Sequence, residues 1–245
     1  LWHKSIVPND DHDWDLTQVS PVLKAGEDNV SRDLVATVGK DGILRTLDKN
    51  TRDALYETPI TTIRNADVPV TPEGVFACPG VFGGVLWSGP AYHPQEKVLI
   101  TPVVDYCTRY VAANEFEVVP GQMYMGGGVE PANEQSGWLT AVDAEGGDVR
   151  WRYQSRAPMV AGVTTTAGGL VLTGELTGHL LALDVASGEV LNRVYTGAPV
   201  GGGVITYEVD GRQFVAVPSG NAMLTFRTGD ETPRSGSVIV YALPE

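Results

Sequence analysis

Short apolar runs separated by turn residues dominate the pattern along this chain. The runs share a richness in β-branched side chains, and they lie at 34–38, 97–104, 170–173, 204–207, 214–217 and 237–241. The 29 glycines and 16 prolines are spread between them and mark many tight turns. We find no helical apolar stripe of useful length. The pattern therefore predicts an all-β protein.

A repeat of 41 residues groups these strands, because segment 138–151 can be laid over 179–191 with Asp143 matching Asp184. Each copy contains a strand that ends in Ala-x-Asp, a turn closed by glycine, and a second strand. A weaker copy surrounds Asp48. A strand-only repeat of this length is typical of one four-stranded β-propeller blade. We assign these aspartates to turn capping, since an Asp side chain can accept hydrogen bonds from the N–H groups of the turn.

Chain length then bounds the number of blades. At roughly 41 to 47 residues per blade, the 245 residues predict a single β-propeller domain over 1–245 with about five blades. The chain begins with Leu1 rather than methionine, so we expect a processed form or a fragment whose N-terminal blades are missing. The apolar run 238–243 is typical of a closing strand.

Charge excludes some classes of partner. The formal net charge of −13 argues against nucleic acid and against an anionic membrane surface. This negative charge is consistent with a basic protein partner, or with a contribution to solubility alone. No apolar run reaches the roughly 18 residues that a membrane span needs. No secretory leader precedes the first strand.

The candidate chemistry lies near the N-terminus, where Asp10, Asp11, Asp13 and Asp15 fall within six residues together with Trp14. Four carboxylates this close repel one another. Such a cluster is either a solvated loop or a site where a cation or a proton-transfer reaction offsets the repulsion.

Downstream motifs favour the second interpretation. The spacing Ala141-x-Asp143-x-x-x-Gly147-x-x-x-Trp151 resembles the tryptophan docking motif of the pyrroloquinoline-quinone (PQQ) dependent alcohol dehydrogenases, which are periplasmic eight-bladed propellers. Further blocks resemble the same family in the same order, at 14–15, 39–44, 83–87 with 92–94, 166–171 and 174–178. The resemblance covers nearly the whole chain and corresponds to the C-terminal part of the propeller.

This resemblance implies roles for individual residues. Asp15 matches the catalytic carboxylate, which takes the hydroxyl proton of the alcohol while hydride moves to the quinone, and it is the one metal ligand that the chain offers. Lys40 matches the basic residue at the quinone oxygens, although Gly-Lys-Asp-Gly alone is typical of a turn lysine. The other implied cofactor contacts are Trp87, Val160, Ala161 and Gly162.

Three positions bear on the metal and on departures from the family. Thr17 stands where lanthanide-dependent members carry a second aspartate, so we expect calcium. Val160 replaces the tryptophan floor under the cofactor and loses aromatic stacking. Leu86 replaces a cofactor-contacting asparagine. The remaining metal ligands and the family's adjacent-cysteine pair belong upstream of Leu1.

Cys78 and Cys107 are the two cysteines of the chain. From the residues alone, a disulfide and two buried thiols are both open. Both positions resemble a structural disulfide of the family, which favours the disulfide and an oxidising compartment. We interpret none of the four histidines (His3, His12, His93 and His179) as a metal ligand.

Two hypotheses on function follow. In the first, the chain is part of a periplasmic, calcium- and PQQ-dependent enzyme that oxidises a small alcohol and passes electrons to a cytochrome c, and the fragment by itself is inactive. In the second, it is a non-catalytic propeller that serves as a binding or assembly scaffold. Val160 and Leu86 favour the second, whereas Asp15 and Lys40 favour the first. A truncated piece would also expose an open blade edge.

Overall fold

The computed structural model describes residues 2–16, 18–25, 32–115, 118–228 and 234–242. Over these ranges sixteen β-strands form four antiparallel sheets, and the only helical element is a 3-10 turn at Thr225–Thr228. The same ranges contain no helix that is both long enough and apolar enough to cross a membrane. The all-β prediction is confirmed.

The sheets follow one another in chain order, and each is built from strands that are neighbours in sequence. The first sheet consists of β1 (Val22–Ala25), β2 (Arg32–Thr37), β3 (Ile43–Asp48) and β4 (Ala54–Pro59). The second consists of β5 (Val75–Ala77), β6 (Ala91–His93), β7 (Val98–Ala112), β8 (Gly127–Asp143) and β9 (Val149–Ser155). The third consists of β10 (Thr164–Thr165), β11 (Leu170–Glu175), β12 (His179–Asp184) and β13 (Val190–Tyr195). The fourth consists of β14 (Ile205–Val209), β15 (Arg212–Ser219) and β16 (Ser237–Ala242). Successive meanders of this kind are the blades of a β-propeller.

The repeated aspartates cap turns, as the sequence predicts. Asp143 Oδ1 accepts hydrogen bonds from the N–H groups of Glu145 (3.0 Å) and Gly146 (2.7 Å). Asp184 Oδ1 accepts from the corresponding residues of the next repeat, at 3.1 and 2.8 Å. Both turns close on a glycine with a positive φ, Gly147 at 81° and Gly188 at 74°. These aspartates therefore have a structural role.

The described residues contain four sheets. The second sheet takes residues 75–155, about the length of two repeats, because β7 and β8 form an unusually long hairpin. β6 pairs with the first residues of β7, and β5 pairs with its last residues. A disulfide between Cys78 and Cys107, with 4.5 Å between the Cα atoms, links the segment after β5 to β7. The predicted disulfide is confirmed.

The core lies between consecutive sheets. Leu34 of the first sheet packs with Leu99 and Val142 of the second, and all three are fully buried. Apolar residues of the second and third sheets form a similar cluster, as do residues of the third and fourth. Consecutive sheets therefore bury apolar faces against each other. The connections at the strand ends lie outside this core and can carry functional residues.

Candidate functional site

The acidic segment 10–15 is a tight loop that Asp10 organises. Its Oδ1 accepts a hydrogen bond from the N–H of His12 (3.0 Å), and its Oδ2 accepts from the N–H of Trp14 (2.7 Å). Asp13 in the loop and Asn9 just before it have positive φ values of 63° and 57°, a conformation that Asn and Asp tolerate better than most residues. Both oxygens of the Asp10 carboxylate therefore hold the loop in shape through backbone hydrogen bonds.

Trp14 anchors the loop to the second sheet. Its ring is 6% exposed, and Nε1 donates a hydrogen bond to the carbonyl of Pro79 at 3.2 Å. Pro79 directly follows Cys78, so this carbonyl lies beside the disulfide. The indole of Trp14 fixes the backbone position of the next residue, Asp15.

Lys40 is the centre of the site, because its ammonium group meets two carboxylates. Nζ lies 2.8 Å from Asp13 Oδ2, 2.9 Å from the Asp13 carbonyl oxygen and 2.9 Å from Asp15 Oδ2. These three contacts match the three N–H donors of an ammonium group. The Lys40 side chain is 14% exposed, whereas Asp13 and Asp15 are 45% and 53% exposed. A carboxylate accessible from solvent is thus held beside a largely buried cation.

The environment of Lys40 stabilises its charge. Burial by itself lowers the pKa of the Lys40 ammonium, but the hydrogen bonds and charges of Asp13 and Asp15 outweigh burial. The pKa of Lys40 therefore lies above its ordinary value, and the site keeps a fixed positive charge at neutral pH.

Backbone contacts bring Lys40 and Asp15 together although they are distant in sequence. The N–H of Lys40 donates to the carbonyl of Asp15 at 3.1 Å. A Cβ on Gly39 would lie 2.6 Å from that same carbonyl oxygen, so the close approach requires glycine there. On the other side of Lys40, the buried Asp41 pairs with Arg45 at 2.5 Å and holds the turn. The Gly-Lys-Asp-Gly turn is therefore built to present Lys40 to the acidic loop.

The other predicted cofactor residues lie on segments connected to this turn. The N–H of Val85 donates to the carbonyl of Gly39 at 3.0 Å. Two residues further on, Trp87 is 44% exposed, and Ser88 Oγ donates to the carbonyl of Val160 at 2.9 Å.

Side-chain burial separates these residues into two groups. Trp87 presents aromatic surface to solvent, whereas Leu86, Val160 and Ala161 are buried, the last two at 2% and 0% exposure. Gly162 is half-buried, and its N–H donates to the carbonyl of Gly202 at 3.2 Å. The structure thus brings Asp15 and Lys40 into direct contact. It connects Trp87 to them through the backbone of Val85 and Gly39, and it connects Val160 to the Trp87 segment through the side chain of Ser88.

The side chains around Lys40 do not fit a metal ion by themselves. Among the described residues, no group of three or more His, Cys, Asp or Glu side chains gathers in a way that could hold a cation. Asp13 and Asp15 share an ammonium group instead. Thr17, on which the choice of calcium over a lanthanide rests, lies outside the described residues. These side chains do not form a metal site on their own.

The sequence did not predict that Asp13 binds Lys40. Asp13 provides two of the three contacts of Lys40, although Asp13 and Lys40 are 27 residues apart in the chain. The only available signal was the repetition of acids beside Asp15, which does not say which acid meets a base.

The chain is similar to two characterised bacterial oxidoreductases. It is 27% identical to a quinoprotein alcohol dehydrogenase of Pseudomonas putida, PedH, over 89% of this chain and 41% of that protein. It is 28% identical to lupanine 17-hydroxylase [cytochrome c] of a Pseudomonas species, over 90% of this chain and 34% of that protein. The chain is thus similar in sequence to a quinoprotein alcohol dehydrogenase. It spans less than half the length of these two relatives.

Solved structures and a family model agree with the propeller fold of the quinoprotein alcohol dehydrogenases. A quinohemoprotein alcohol dehydrogenase, ADHIIG of Pseudomonas putida, superposes with a TM-score of 0.89 at 22% identity, over 99% of this chain and 41% of that one. A family model described as outer membrane protein assembly factor BamB matches residues 135–232. That match covers the repeated blades and does not include Asp15 or Lys40.

Proposed function

We propose that the protein containing this chain oxidises an alcohol to an aldehyde or ketone with PQQ as cofactor. In this proposal, residues 1–245 form a single, partial propeller domain of that protein. Asp15 is the general base. The contact between Asp15 Oδ2 and Lys40 Nζ carries the proposal, because it pairs an accessible carboxylate with a fixed cation at 2.9 Å. The similarity of the chain to a quinoprotein alcohol dehydrogenase supports the same reaction class.

Asp15 has the geometry that a base needs. Its carboxylate is 53% exposed, so a substrate hydroxyl can reach it, while Lys40 and the Trp14 anchor fix its position. Proton removal by a positioned carboxylate contributes roughly 10²–10⁴-fold to rate. In this proposal Asp15 accepts the hydroxyl proton, and Lys40 orients the carboxylate and places positive charge where negative charge develops.

The cofactor residues of the proposal fit a flat, anionic molecule. Lys40 supplies positive charge, and Trp87 supplies exposed aromatic surface. Ser88, the residue after Trp87, donates a hydrogen bond to the carbonyl of Val160 and so links the Trp87 segment to 160–162, the other cofactor residues of the proposal. When bound, PQQ supplies an electrophilic quinone that accepts hydride from the alcohol carbon.

Calcium enters the proposal with Asp15 as one oxygen ligand. Calcium takes six to eight oxygen ligands, and the described residues form no such set. The other ligands of the proposal lie outside the described residues, and no catalytic step is assigned to the metal.

A cytochrome c acceptor and a periplasmic location complete the proposal. The name of one relative includes cytochrome c, and another similar protein is a quinohemoprotein. A net charge of −13 favours a basic partner. The Cys78–Cys107 disulfide is typical of proteins that fold in an oxidising compartment.

The test is Asp15→Asn in the full-length protein, with alcohol oxidation followed by reduction of an artificial electron acceptor and PQQ binding followed separately. We expect turnover to fall by about a thousandfold while PQQ stays bound. Asp11→Asn is the control, since Asp11 bonds to Val70 and His12 and not to Lys40. Full turnover in Asp15→Asn would exclude Asp15 as the base.

The match of 135–232 to a BamB family model favours a second function, a non-catalytic scaffold. The two functions differ in cofactor binding. A full-length protein that fails to quench or shift PQQ fluorescence at micromolar concentrations would support the scaffold.

A further inference from the structure

Gln18 is a buried amide side chain three residues after Asp15, and it is 9% exposed. Its Nε2 donates a hydrogen bond to the carbonyl of Val85 at 2.5 Å. The other polar atom of the side chain, Oε1, is also buried and has no hydrogen-bond partner within the described ranges. Burial of an amide costs free energy unless the amide is hydrogen-bonded. Among the described residues, the contact with Val85 is therefore what fixes this side chain.

Val85 is a fixed point of the fold. Its side chain is fully buried in the core between the first and second sheets. The preceding residue, Gly84, exchanges two backbone hydrogen bonds with Val104 of β7, at 2.9 and 2.8 Å. A Cβ on Gly84 would clash with the carbonyl of Lys40, so this segment also passes close to the Lys40 turn. A group bound to Val85 is thus held in a defined position relative to Lys40.

The backbone of Val85 joins the two halves of the candidate site. Its carbonyl accepts the hydrogen bond from Gln18, which follows the acidic loop. Its N–H donates to the carbonyl of Gly39, the residue before Lys40, at 3.0 Å. The side chains of Asp15 and Lys40, which meet at 2.9 Å, are therefore carried by segments that are tied to the same core residue.

Asp15 lies between two side-chain anchors. Before it, Trp14 Nε1 donates to the carbonyl of Pro79, and after it, Gln18 donates to the carbonyl of Val85. Both acceptors are backbone groups of the segment that follows the disulfide. An anchor on each side restricts the direction of the Asp15 carboxylate more than one anchor does. Loss of the Gln18 amide therefore shifts this carboxylate while Trp14 keeps the loop attached.

We propose that Gln18 is a positioning residue for the general base and holds Asp15 beside Lys40 through the carbonyl of Val85. The inference rests on the proposed function, because it gives Gln18 a part in the reaction that Asp15 begins. Gln18 itself touches neither substrate nor cofactor. A displacement of about 1 Å at the reacting groups costs roughly a hundredfold in rate, so a hydrogen bond away from the reacting atoms controls turnover.

The first measurement is the kinetics of Gln18→Met in the full-length protein, since methionine keeps the length of the side chain and removes the amide. With PQQ bound, we expect kcat to fall roughly 10- to 100-fold and KM to change by less than about threefold, because the base acts in the transition state. Gln18→Asn, one methylene group shorter, is a second variant with the same expectation. Gln213→Met is the matched control and should leave kcat unchanged. Gln213 is exposed and donates to Thr206 Oγ1 at 2.8 Å within the fourth sheet.

The second measurement is amide hydrogen exchange in the cofactor-free, full-length protein, which needs no turnover. The N–H of Lys40 donates to the carbonyl of Asp15, so its exchange reports whether the acidic loop stays on the turn. We expect this exchange to become at least about tenfold faster in Gln18→Met. The N–H of Ile60 donates to the carbonyl of Gly42, on the other side of the turn, at 3.0 Å. It is the internal control and should not change.

A double variant distinguishes failure of this inference from failure of the proposed function. If Gln18 acts through Asp15, Gln18→Met lowers kcat no further in an Asp15→Asn background. Unchanged kcat in Gln18→Met, unchanged exchange at Lys40, or equal losses of kcat in both backgrounds would each overturn the positioning role. Full turnover in Asp15→Asn together with faster exchange at Lys40 would instead overturn the general base, while the contact through Val85 held.

Discussion

Trp151 of the second sheet donates its indole N–H to the carbonyl of Val185 in the third, at 2.9 Å. The same contact occurs one sheet earlier, where Tyr56 Oη donates to the carbonyl of Ala144 at 3.2 Å. Ala144 and Val185 each follow the capping aspartate of their repeat. In both cases an aromatic residue of one sheet docks onto the Asp turn of the next, so the repeated turn also joins adjacent blades.

The docking contact predicts a large effect of Gly188→Ala. Gly188 has a φ of 74°, and a Cβ there would lie 2.5 Å from the Trp151 ring. We expect the free energy of unfolding to fall by about 2 kcal/mol, from backbone strain and overpacking together. Urea unfolding measures it, with Gly203→Ala as the control that changes it by less than about 0.5 kcal/mol. Equal stability of the two variants would contradict the docking role.

Trp14→Phe tests the anchor of the acidic loop. The phenyl ring keeps most of the buried apolar surface but leaves the buried carbonyl of Pro79 without the indole donor. We expect a loss of about 1–2 kcal/mol in the free energy of unfolding. Trp87→Phe is the comparison, because Trp87 is exposed and its replacement should change stability by less than about 0.5 kcal/mol. A neutral Trp14→Phe would show that the loop is held by other contacts.

Glu175→Gln tests a buried ionic network in the third sheet. The Glu175 carboxylate is 3% exposed and accepts hydrogen bonds from Tyr153 Oη and Arg193 Nη2, both at 2.8 Å. Arg193 is half-exposed, so water can partly solvate it when the carboxylate is removed. We therefore expect a loss of about 2 kcal/mol in chemical unfolding. Glu189→Gln, at an exposed position, is the matched substitution and should be neutral.

The same carboxylate predicts a dependence of stability on pH. Burial raises the pKa of Glu175, but hydrogen bonds from Arg193 and Tyr153 lower it by more, so the pKa in the folded protein is below the ordinary 4.5. The stabilisation is complete above that unfolded-state value and is lost as pH falls through the lower folded-state value. Unfolding curves of wild type and Glu175→Gln should therefore converge at acid pH. A gap that stays constant down to acid pH would refute this assignment.

Much of the fold was predictable because its signals are local. The capping aspartates, the turn glycines and the 41-residue spacing all act within one repeat, so Asp143 and Asp184 revealed the blade without knowledge of their neighbours. The size of the second sheet was not predictable, because β7 and β8 are longer than the 41-residue repeat allows. An insertion leaves no local signal that distinguishes a long hairpin from an additional blade.

The site was predictable only in part. Asp15 and Lys40 were singled out through resemblance, and the structure places them in contact. The double contact of Asp13 with Lys40 was not foreseen, because it joins two segments that are 27 residues apart in the chain.

The sequence by itself determined the all-β class, the repeating blade and the residues that supply charge, since strand periodicity and turn chemistry involve neighbours along the chain. Tertiary structure alone decided that Lys40 divides its three donors between Asp13 and Asp15, and that Trp14 locks their loop beside the disulfide. Those contacts require that distant backbone segments lie close together, as Gly39 lies beside the carbonyl of Asp15. The distance between such segments is set only when the sheets pack against one another.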